Sequence, residues 1–453
     1  MTKQKKRRGA AQTATLSSVL QKNQILDAEI IDMNLLGHGI AKVNGVAVFV
    51  TGGVTGDRLR IKIIKLCNRY AVARIEEIYT PSPHRIPPTC ALHKRCGGCV
   101  LRHISYTHEL ELKTRAIKEL LHRAGVETEV LPAIGSPQVD GYRNKVQLPI
   151  DENYNMGFFV AHSHDIVACS ACDLTMPPLM EIARTVRDHL AAHQIKGVRH
   201  IYLRAGKQTG EVLVCLVTWK DSFTAEEAKG LCDILHNSHV EIVGVLQNIN
   251  DRETNVILGD TYRTLWGKDT LTDELCGCTF TVAAPAFYQV NHDAAELLYQ
   301  RVAALANLQA GETLVDLYCG AGTIGLSVIR GLPEAKLVGV EIVPEAVENA
   351  RRNAVANGVT NATFYVGDAD HSAVTEADVI VVDPPRKGCS RAVLDRLLAV
   401  APKRIVYVSC GPDTLARDLA YLIEGGYTCG AVQPVDLFPR TGHVETIVCL
   451  NKQ

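Results

Sequence analysis

A cysteine stands in Ser409-Cys410-Gly411-Pro412, directly after the apolar run Arg404-Ile-Val-Tyr-Val408 and before a segment of helical character. Such a run reads as a buried parallel strand, which sets the thiol at its carboxyl end, where α/β sheets bind ligands. Most cysteines are small buried hydrophobes. The strand-tip position and the Gly-Pro turn argue instead for a nucleophile. A thiolate placed there can add to C6 of a pyrimidine and build an enolate with carbanion character at C5. Unactivated C5 is a poor nucleophile, but the enolate can take a methyl group from a sulfonium donor. A base must then remove the C5 proton so that the thiolate can leave. Glu445, in Phe438-Pro-Arg-Thr-Gly-His-Val-Glu445 before the last strand at 446–450, is the expected base. His443 competes for that role and is read as orienting the loop. A free thiol with a pKa of about 8.5 is only slightly ionised at neutral pH, so local charge must assist it.

The methyl donor needs its own pocket. Residues 313–325 read as strand, loop and helix, with Gly320, Gly322 and Gly325 spaced as in a dinucleotide fingerprint. Asp316 argues against a dinucleotide: a carboxylate at the strand end repels pyrophosphate and attracts the cationic end of S-adenosylmethionine. The next strand, 336–340, runs into Glu341, placed for both ribose hydroxyls, and a third ends at Gly367-Asp368, suited to the adenine edge. A fourth, 378–383, ends in Asp383-Pro384-Pro385-Arg386. An acid–proline–proline turn there faces donor and target in methyltransferases. The aromatic that often follows in amino-group methyltransferases is replaced by Arg386, which favours carbon as the acceptor.

A third group of residues suits metal chemistry. Cys90, Cys96 and Cys99 fall within ten residues around Gly97-Gly98, whose backbone N–H groups are free to approach a bound sulfur. Cys169 and Cys172 can each supply a fourth thiolate. Zinc, with His93 as another ligand, and an iron–sulfur cluster both suit such a set.

These residues need elements to hold them. Residues 291–453 alternate strand and helix in the manner of a doubly wound parallel sheet, and 83–290 form a strand-rich central domain with helices at 106–124 and 177–193. Pro81, Pro83, Pro87 and Pro88 mark the boundary before the cysteines. Residues 21–82 are short alternating strands broken by glycines, as in an OB-like barrel. In 57–65, Leu59, Ile61 and Ile63 share one face while Arg58, Arg60 and Lys62 share the other, which predicts a basic outer surface. Residues 1–20 carry five cations and no acid and read as a flexible basic arm. Gly141-Tyr142-Arg143-Asn144-Lys145 joins two cations with an aromatic, suited to RNA. The 453 residues suffice for about three domains. With 47% apolar and 21% charged residues the composition is globular, and no apolar run spans a membrane. No secretory signal is expected, and an odd 15 cysteines point to a cytoplasmic protein without a disulfide scaffold. A net charge of −1 leaves any nucleic-acid affinity to charge distribution.

Residues 409–418 (Ser-Cys-Gly-Pro-Asp-Thr-Leu-Ala-Arg-Asp), Asp383-Pro-Pro-Arg, the Phe-Pro…His-Val-Glu segment and Phe287-Tyr-Gln-Val-Asn291 together resemble the RNA 5-methyluridine methyltransferase family, from the barrel to the C-terminus. The resemblance implies a Rossmann-like methyltransferase domain, Cys410 as nucleophile and Glu445 as base, and Gln289, Tyr318, Glu341 and Asp383 as contacts to S-adenosylmethionine. The N-terminal strands resemble a TRAM domain, a small RNA-binding barrel. In its ribosomal-RNA branch the family implies a [4Fe–4S] cluster on Cys90, Cys96, Cys99 and Cys172, with a structural role. Barrel and cluster together favour large-subunit (23S) ribosomal RNA over transfer RNA as substrate. A cytosine-C5 enzyme would share the thiol logic. A radical S-adenosylmethionine enzyme would need a C-x3-C-x2-C triplet, which the Cys90–Cys96 spacing does not meet, and a non-catalytic RNA-binding protein would leave Cys410 without a task.

Overall fold

The computed structural model describes residues 19–161, 163–220, 223–371 and 374–453, and the counts below refer to these residues. The expected basic arm lies almost wholly outside them. The chain divides into two compact units: one comprises residues up to Pro88 with Val100–Leu112, the other Thr89–Cys99 with Lys113–Gln453.

In the first unit, alternation in the sequence becomes a six-stranded sheet in the order Ile25–Glu29, Arg58–Leu66, Tyr70–Thr80, Val46–Thr51, His38–Val43, Asp32–Met33. It curls into a half-barrel around Val48, Val50, Leu59, Ile61, Ile63, Ala71 and Ala73, all fully buried. The Ile31 N–H donates to the Ile40 carbonyl at 2.9 Å, drawing the ends together. Leu59, Ile61 and Ile63 face inward as their period of two requires. The outer face departs from the basic surface expected of it. Antiparallel register sets Asp27 opposite Arg60 and Glu29 opposite Arg58, so Arg60 pairs with Asp27 at 3.4 Å and Glu77 at 3.5 Å, and Arg58 with Glu29 at 3.7 Å. Cross-strand acids make this face mixed in charge.

The second unit holds two larger sheets. One has five strands, in the order Thr261–Gly267, Ile242–Ile249, Val212–Thr218, Val198–Ala205, Lys145–Pro149. The helices Leu179–Ala192 and Ala225–Ser238 bury Ile182, Val186, Leu231 and Leu235 against Ile201, Leu203, Val214 and Leu216. The other sheet has eight strands, in the order Ala362–Val366, Lys336–Glu341, Thr313–Leu317, Val379–Val382, Arg404–Ser409, Glu445–Lys452, Tyr427–Cys429, with Gln433–Val435 also paired to Glu445–Lys452. The first five run parallel and Glu445–Lys452 returns antiparallel. Fully buried strands such as Val379–Val382 explain the continuous apolar runs in the sequence. Strand order reverses between Thr313–Leu317 and Val379–Val382, which opens a crevice at their carboxyl ends.

Candidate active site

A cavity of about 650 Å³ occupies that crevice. Its walls include Cys410, Glu445, Gln289, Tyr318, Glu341 and Asp383, so the six residues expected to do chemistry or hold the donor converge on one space. They lie between 23 and 156 positions apart in the chain, and the sheet brings them together.

Each is held by local structure. Tyr318 takes a left-handed φ of 65°, unusual for a residue with a Cβ, and Gly320 and Gly322 follow at 53° and 80°. This turn presents the Gly320 N–H to Glu341 Oε2 at 3.1 Å, while Glu341 Oε1 accepts from the Val343 N–H at 2.9 Å. Gly325 sits so close to Asp316 that a Cβ would stand 2.9 Å from Oδ2, and its N–H donates to that oxygen at 2.9 Å. Asp316 is 1% exposed and does not line the cavity. Its carboxylate braces the glycine loop, a different task from the donor contact expected for it. Gln289 is fixed through its carbonyl, which accepts from Asn144 Nδ2 at 3.0 Å. Asn291 Nδ2 donates to the Leu437 carbonyl at 3.0 Å and thereby ties the Gln289 segment to the loop that leads to Glu445.

The residues expected as nucleophile and base are placed by strand register. Ser409 pairs with Thr446, so Glu445 at the start of one strand and Cys410 just past the end of its antiparallel neighbour are the next residues outward. The Thr446 hydroxyl donates to the Ser409 carbonyl at 3.1 Å, and Glu445 is paired on its other side with Val435.

Charge in the cavity is dominated by carboxylates. Burial lifts Asp383 to about 7. Burial and the neighbouring Asp383 lift Glu445 to about 8, against the lowering influence of Arg386. Cys410 is pushed to about 11 by burial, then by Glu445 and Asp383, with Arg386 again opposing. A cavity lined in this way attracts a cation, and a sulfonium beside Asp383 would lower all three groups. Arg386 follows the two prolines in sequence, yet its electrostatic hold on both Cys410 and Glu445 was not read from the motif. Its guanidinium also lies 3.4 Å from His443 Nδ1. Burial and Arg386 depress His443, which makes it an unprotonated loop residue at neutral pH. Lys145 lines the same cavity, and burial with Arg204 and Arg143 lowers its ammonium to about 8.

The cysteine loop lies elsewhere in the second unit. Cys96 bridges to Val160, and Cys90, Cys96, Cys99 and Cys172 are partly exposed and in no disulfide. Burial raises Cys96, the Gly98 N–H hydrogen bond lowers it, and Cys172 and Cys90 raise it further, so those three thiols sense each other's charge. Cys99 is felt at Tyr142. Cys169 is buried, and its thiol donates to the Ala171 carbonyl at 2.8 Å. Among the described residues no group of three or more His, Cys, Asp or Glu stands at the spacing of a metal-ion site.

Two family models match the catalytic part: a methyltransferase small domain over residues 279–407 and tRNA (uracil-5-)-methyltransferase over residues 371–453. An uncharacterized RNA methyltransferase of Halalkalibacterium halodurans is 39% identical over 95% of this chain and 98% of its own. One of Listeria monocytogenes is 40% identical over 96% and 99%. The chain belongs to this RNA methyltransferase family. The methyltransferase is also similar to the crystal structure of Pyrococcus abyssi tRNA (uracil-54, C5)-methyltransferase in complex with S-adenosyl-L-homocysteine. That likeness has 27% identity and a TM-score of 0.76, and covers 94% of this chain and 99% of the other. Fold and family are those of S-adenosylmethionine-dependent enzymes. No helix of the described residues is long and apolar enough to cross a membrane.

Proposed function

We propose that the methyltransferase transfers a methyl group from S-adenosylmethionine to C5 of a uridine in RNA, through a covalent bond between Cys410 and C6. The observation that carries this reading is the convergence of Cys410 and Glu445, near enough to raise the thiol, in one cavity with Asp383 and Glu341. Gln289, Tyr318, Glu341 and Asp383 hold the donor, with the sulfonium among the carboxylates. The Cys410 thiolate adds to C6, and the C5=C6 electron pair moves onto C5 and O4. C5 then displaces the methyl group from the sulfonium, whose bonding pair stays on sulfur as a thioether. Glu445 takes the C5 proton, the C5–H electrons restore the double bond, and the C6–S pair returns to Cys410. The target base has to leave its stack to reach the thiol.

For the RNA, our reading is large-subunit ribosomal RNA. It rests on the family resemblance of the barrel and cysteine loop. Transfer RNA is the second reading, because the solved tRNA enzyme covers 94% of the chain and so the extra N-terminal elements do not separate the two. Cys90, Cys96, Cys99 and Cys172 fit a [4Fe–4S] cluster: Cys90, Cys96 and Cys172 sense each other's charge without closing on one ion, which suits a group wider than zinc, whose thiolates stand about 3.8 Å apart. Such a cluster would clasp the cysteine loop to the segment around Cys172.

The test is RNA carrying 5-fluorouridine at the modified position. Fluorine cannot leave as a proton does, so the enzyme should become trapped as an adduct that survives denaturing gels, and Cys410→Ala should abolish both trapping and methylation while still binding RNA. Mass spectrometry of ribosomal and transfer RNA from a deletion strain identifies which pool loses 5-methyluridine. No trapping by active enzyme would sink the covalent mechanism.

A further inference from the structure

A second cleft of about 520 Å³ lies in the central sheet region, apart from the catalytic cavity and unused by the mechanism. Its walls combine aromatic and cationic side chains: Tyr154, Phe159, Lys196, Arg199, His200 and Trp219. Four of these form two stacked pairs. The Arg199 guanidinium lies 3.9 Å from the centre of the Trp219 ring, and Lys196 Nζ lies 4.1 Å from that of Tyr154.

The backbone is built around this arrangement. The pairing of Val198–Ala205 with Val212–Thr218 slips between Val198 and His200, so Arg199 is the extra residue of a bulge. Bulges re-aim side chains, and here the slip lays Arg199 on Trp219. Its Nη1 donates to the carbonyls of Asn250 at 2.8 Å and Arg252 at 3.0 Å, which holds the plane in place. Phe159 and Trp219 are each 38% exposed, so two large apolar side chains reach solvent here.

The cleft also contains unused hydrogen-bonding capacity. His200 is 9% exposed, and its Nδ1 is buried without a partner, as is the Tyr154 hydroxyl. An orphaned buried nitrogen costs free energy unless something completes it. Burial and Arg199 hold His200 near 4, so its ring is neutral and offers one donor and one acceptor nitrogen.

We propose that this cleft binds an unstacked base of the RNA that flanks the target nucleotide, with the base on the Trp219 face and its edge hydrogen-bonded to His200. A phosphate is the poorer occupant: Arg199 already donates to carbonyls, and Asp151 and Glu152 line the same cleft. A π-face with one neutral polar edge suits a base. The position fits as well. Lys145 lines the catalytic cavity and Pro149 lines the cleft, at opposite ends of one strand and on one face of its sheet. Four residues at about 3.3 Å each separate the sites by about 13 Å, a span for neighbouring nucleotides of a single strand. The inference rests on the enzyme acting on RNA.

The chain has two tryptophans, so Trp266→Phe leaves Trp219 as the sole indole reporter. Titrating that variant with hexaadenylate should quench its fluorescence saturably, while an RNA duplex of equal length should not. Trp219→Ala should weaken hexaadenylate binding by roughly 5- to 150-fold, the loss of one stacked base, with S-adenosylmethionine affinity unchanged. His200→Phe, which keeps the ring and removes both nitrogens, should also weaken it. Absent quenching, equal quenching by duplex, or unaltered affinity in Trp219→Ala would overturn the proposal. Any of these in an enzyme that still methylates uridine leaves the proposed function standing; quenching by a protein inactive on every uridine-containing RNA does the reverse.

Discussion

Cys410 and Glu445 each stand one step beyond the Ser409–Thr446 pair, Glu445 at the start of its strand and Cys410 directly after the end of the antiparallel neighbour, and both line the cavity. Because their spacing is a property of sheet register, neither depends on a flexible loop for its alignment. The antiparallel strand Glu445–Lys452, exceptional beside five parallel ones, is what delivers a carboxylate from the chain's end to a thiol 35 residues earlier.

Glu445→Gln should separate methyl transfer from release. The amide keeps the shape of the side chain but cannot take the C5 proton. Turnover should fall by about 10²–10⁴-fold, while the methylated RNA stays joined to Cys410. Radiolabelled methyl groups should then accumulate in a protein–RNA band on a denaturing gel. A slow enzyme with no such band would assign proton removal to another group.

The pH profile follows from the same charges. Glu445 near 8 and Cys410 near 11 both act deprotonated, so kcat/KM of the free enzyme should rise with pH, with a steep limb that bends near 8 and a shallower rise beyond it toward 11. Arg386 lowers both groups. Arg386→Ala should therefore move the limb to higher pH, and Arg386→Lys should restore much of it. An unshifted limb would remove Arg386 from the electrostatics of catalysis.

Asp316 and Asp383, both near 7, and Glu445, near 8, are raised above their unfolded values near 4. Between pH 4 and 8 the folded protein thus binds more protons than the unfolded chain, and these groups make stability fall as pH rises. Their contribution is complete below about pH 4 and lost through 7 to 8. Thermal melting of the ligand-free protein should show a decline from pH 6 to 8.5 that is smaller in Asp383→Asn. Cationic S-adenosylmethionine should bind more tightly over the same interval, which calorimetry at several pH values can measure.

Much of this site could be read from the sequence because its signals are local. The mostly apolar runs at 313–317, 379–382 and 405–408 mark buried parallel strands, and the residues expected to do the chemistry stand just beyond them. What depends on non-local pairing was hidden. The acids opposite Arg58 and Arg60 lie some thirty residues away, so the mixed face appears only when Ile25–Glu29 finds its partner strand. Asp316 was legible as an acid at a strand end, but whether it faces ligand or the Gly325 N–H depends on how closely the helix packs. Arg386 stands beside a recognisable motif, yet its influence depends on the fold of the loop after Pro385.

Protein prepared without oxygen should be brown and contain about four irons per chain. Cys96→Ser should lose the iron, whereas Cys169→Ser, whose thiol already donates to the Ala171 carbonyl, should retain it. Iron and sulfide analysis with visible absorbance decides the matter, and zinc in place of iron would overturn the cluster.

The loop carrying Phe438 toward Glu445 is anchored by a buried ion pair. Lys113 and Asp436 are both 0% exposed, and Lys113 Nζ donates to Asp436 Oδ1 at 2.7 Å and to the Phe438 carbonyl at 3.3 Å. The same oxygen of Asp436 accepts from the Phe438 N–H at 3.1 Å. Removing the lysine leaves a carboxylate buried without its cation, a loss of about 3–5 kcal/mol where one partner of such a pair is deleted. Lys113→Met should therefore unfold at markedly lower urea. Adding Asp436→Leu removes the stranded charge, so the double variant should recover much of that stability, provided the Phe438 N–H finds another acceptor. Equal loss in single and double variants would mean that the hydrogen bonds to Phe438, rather than the charges, hold this loop.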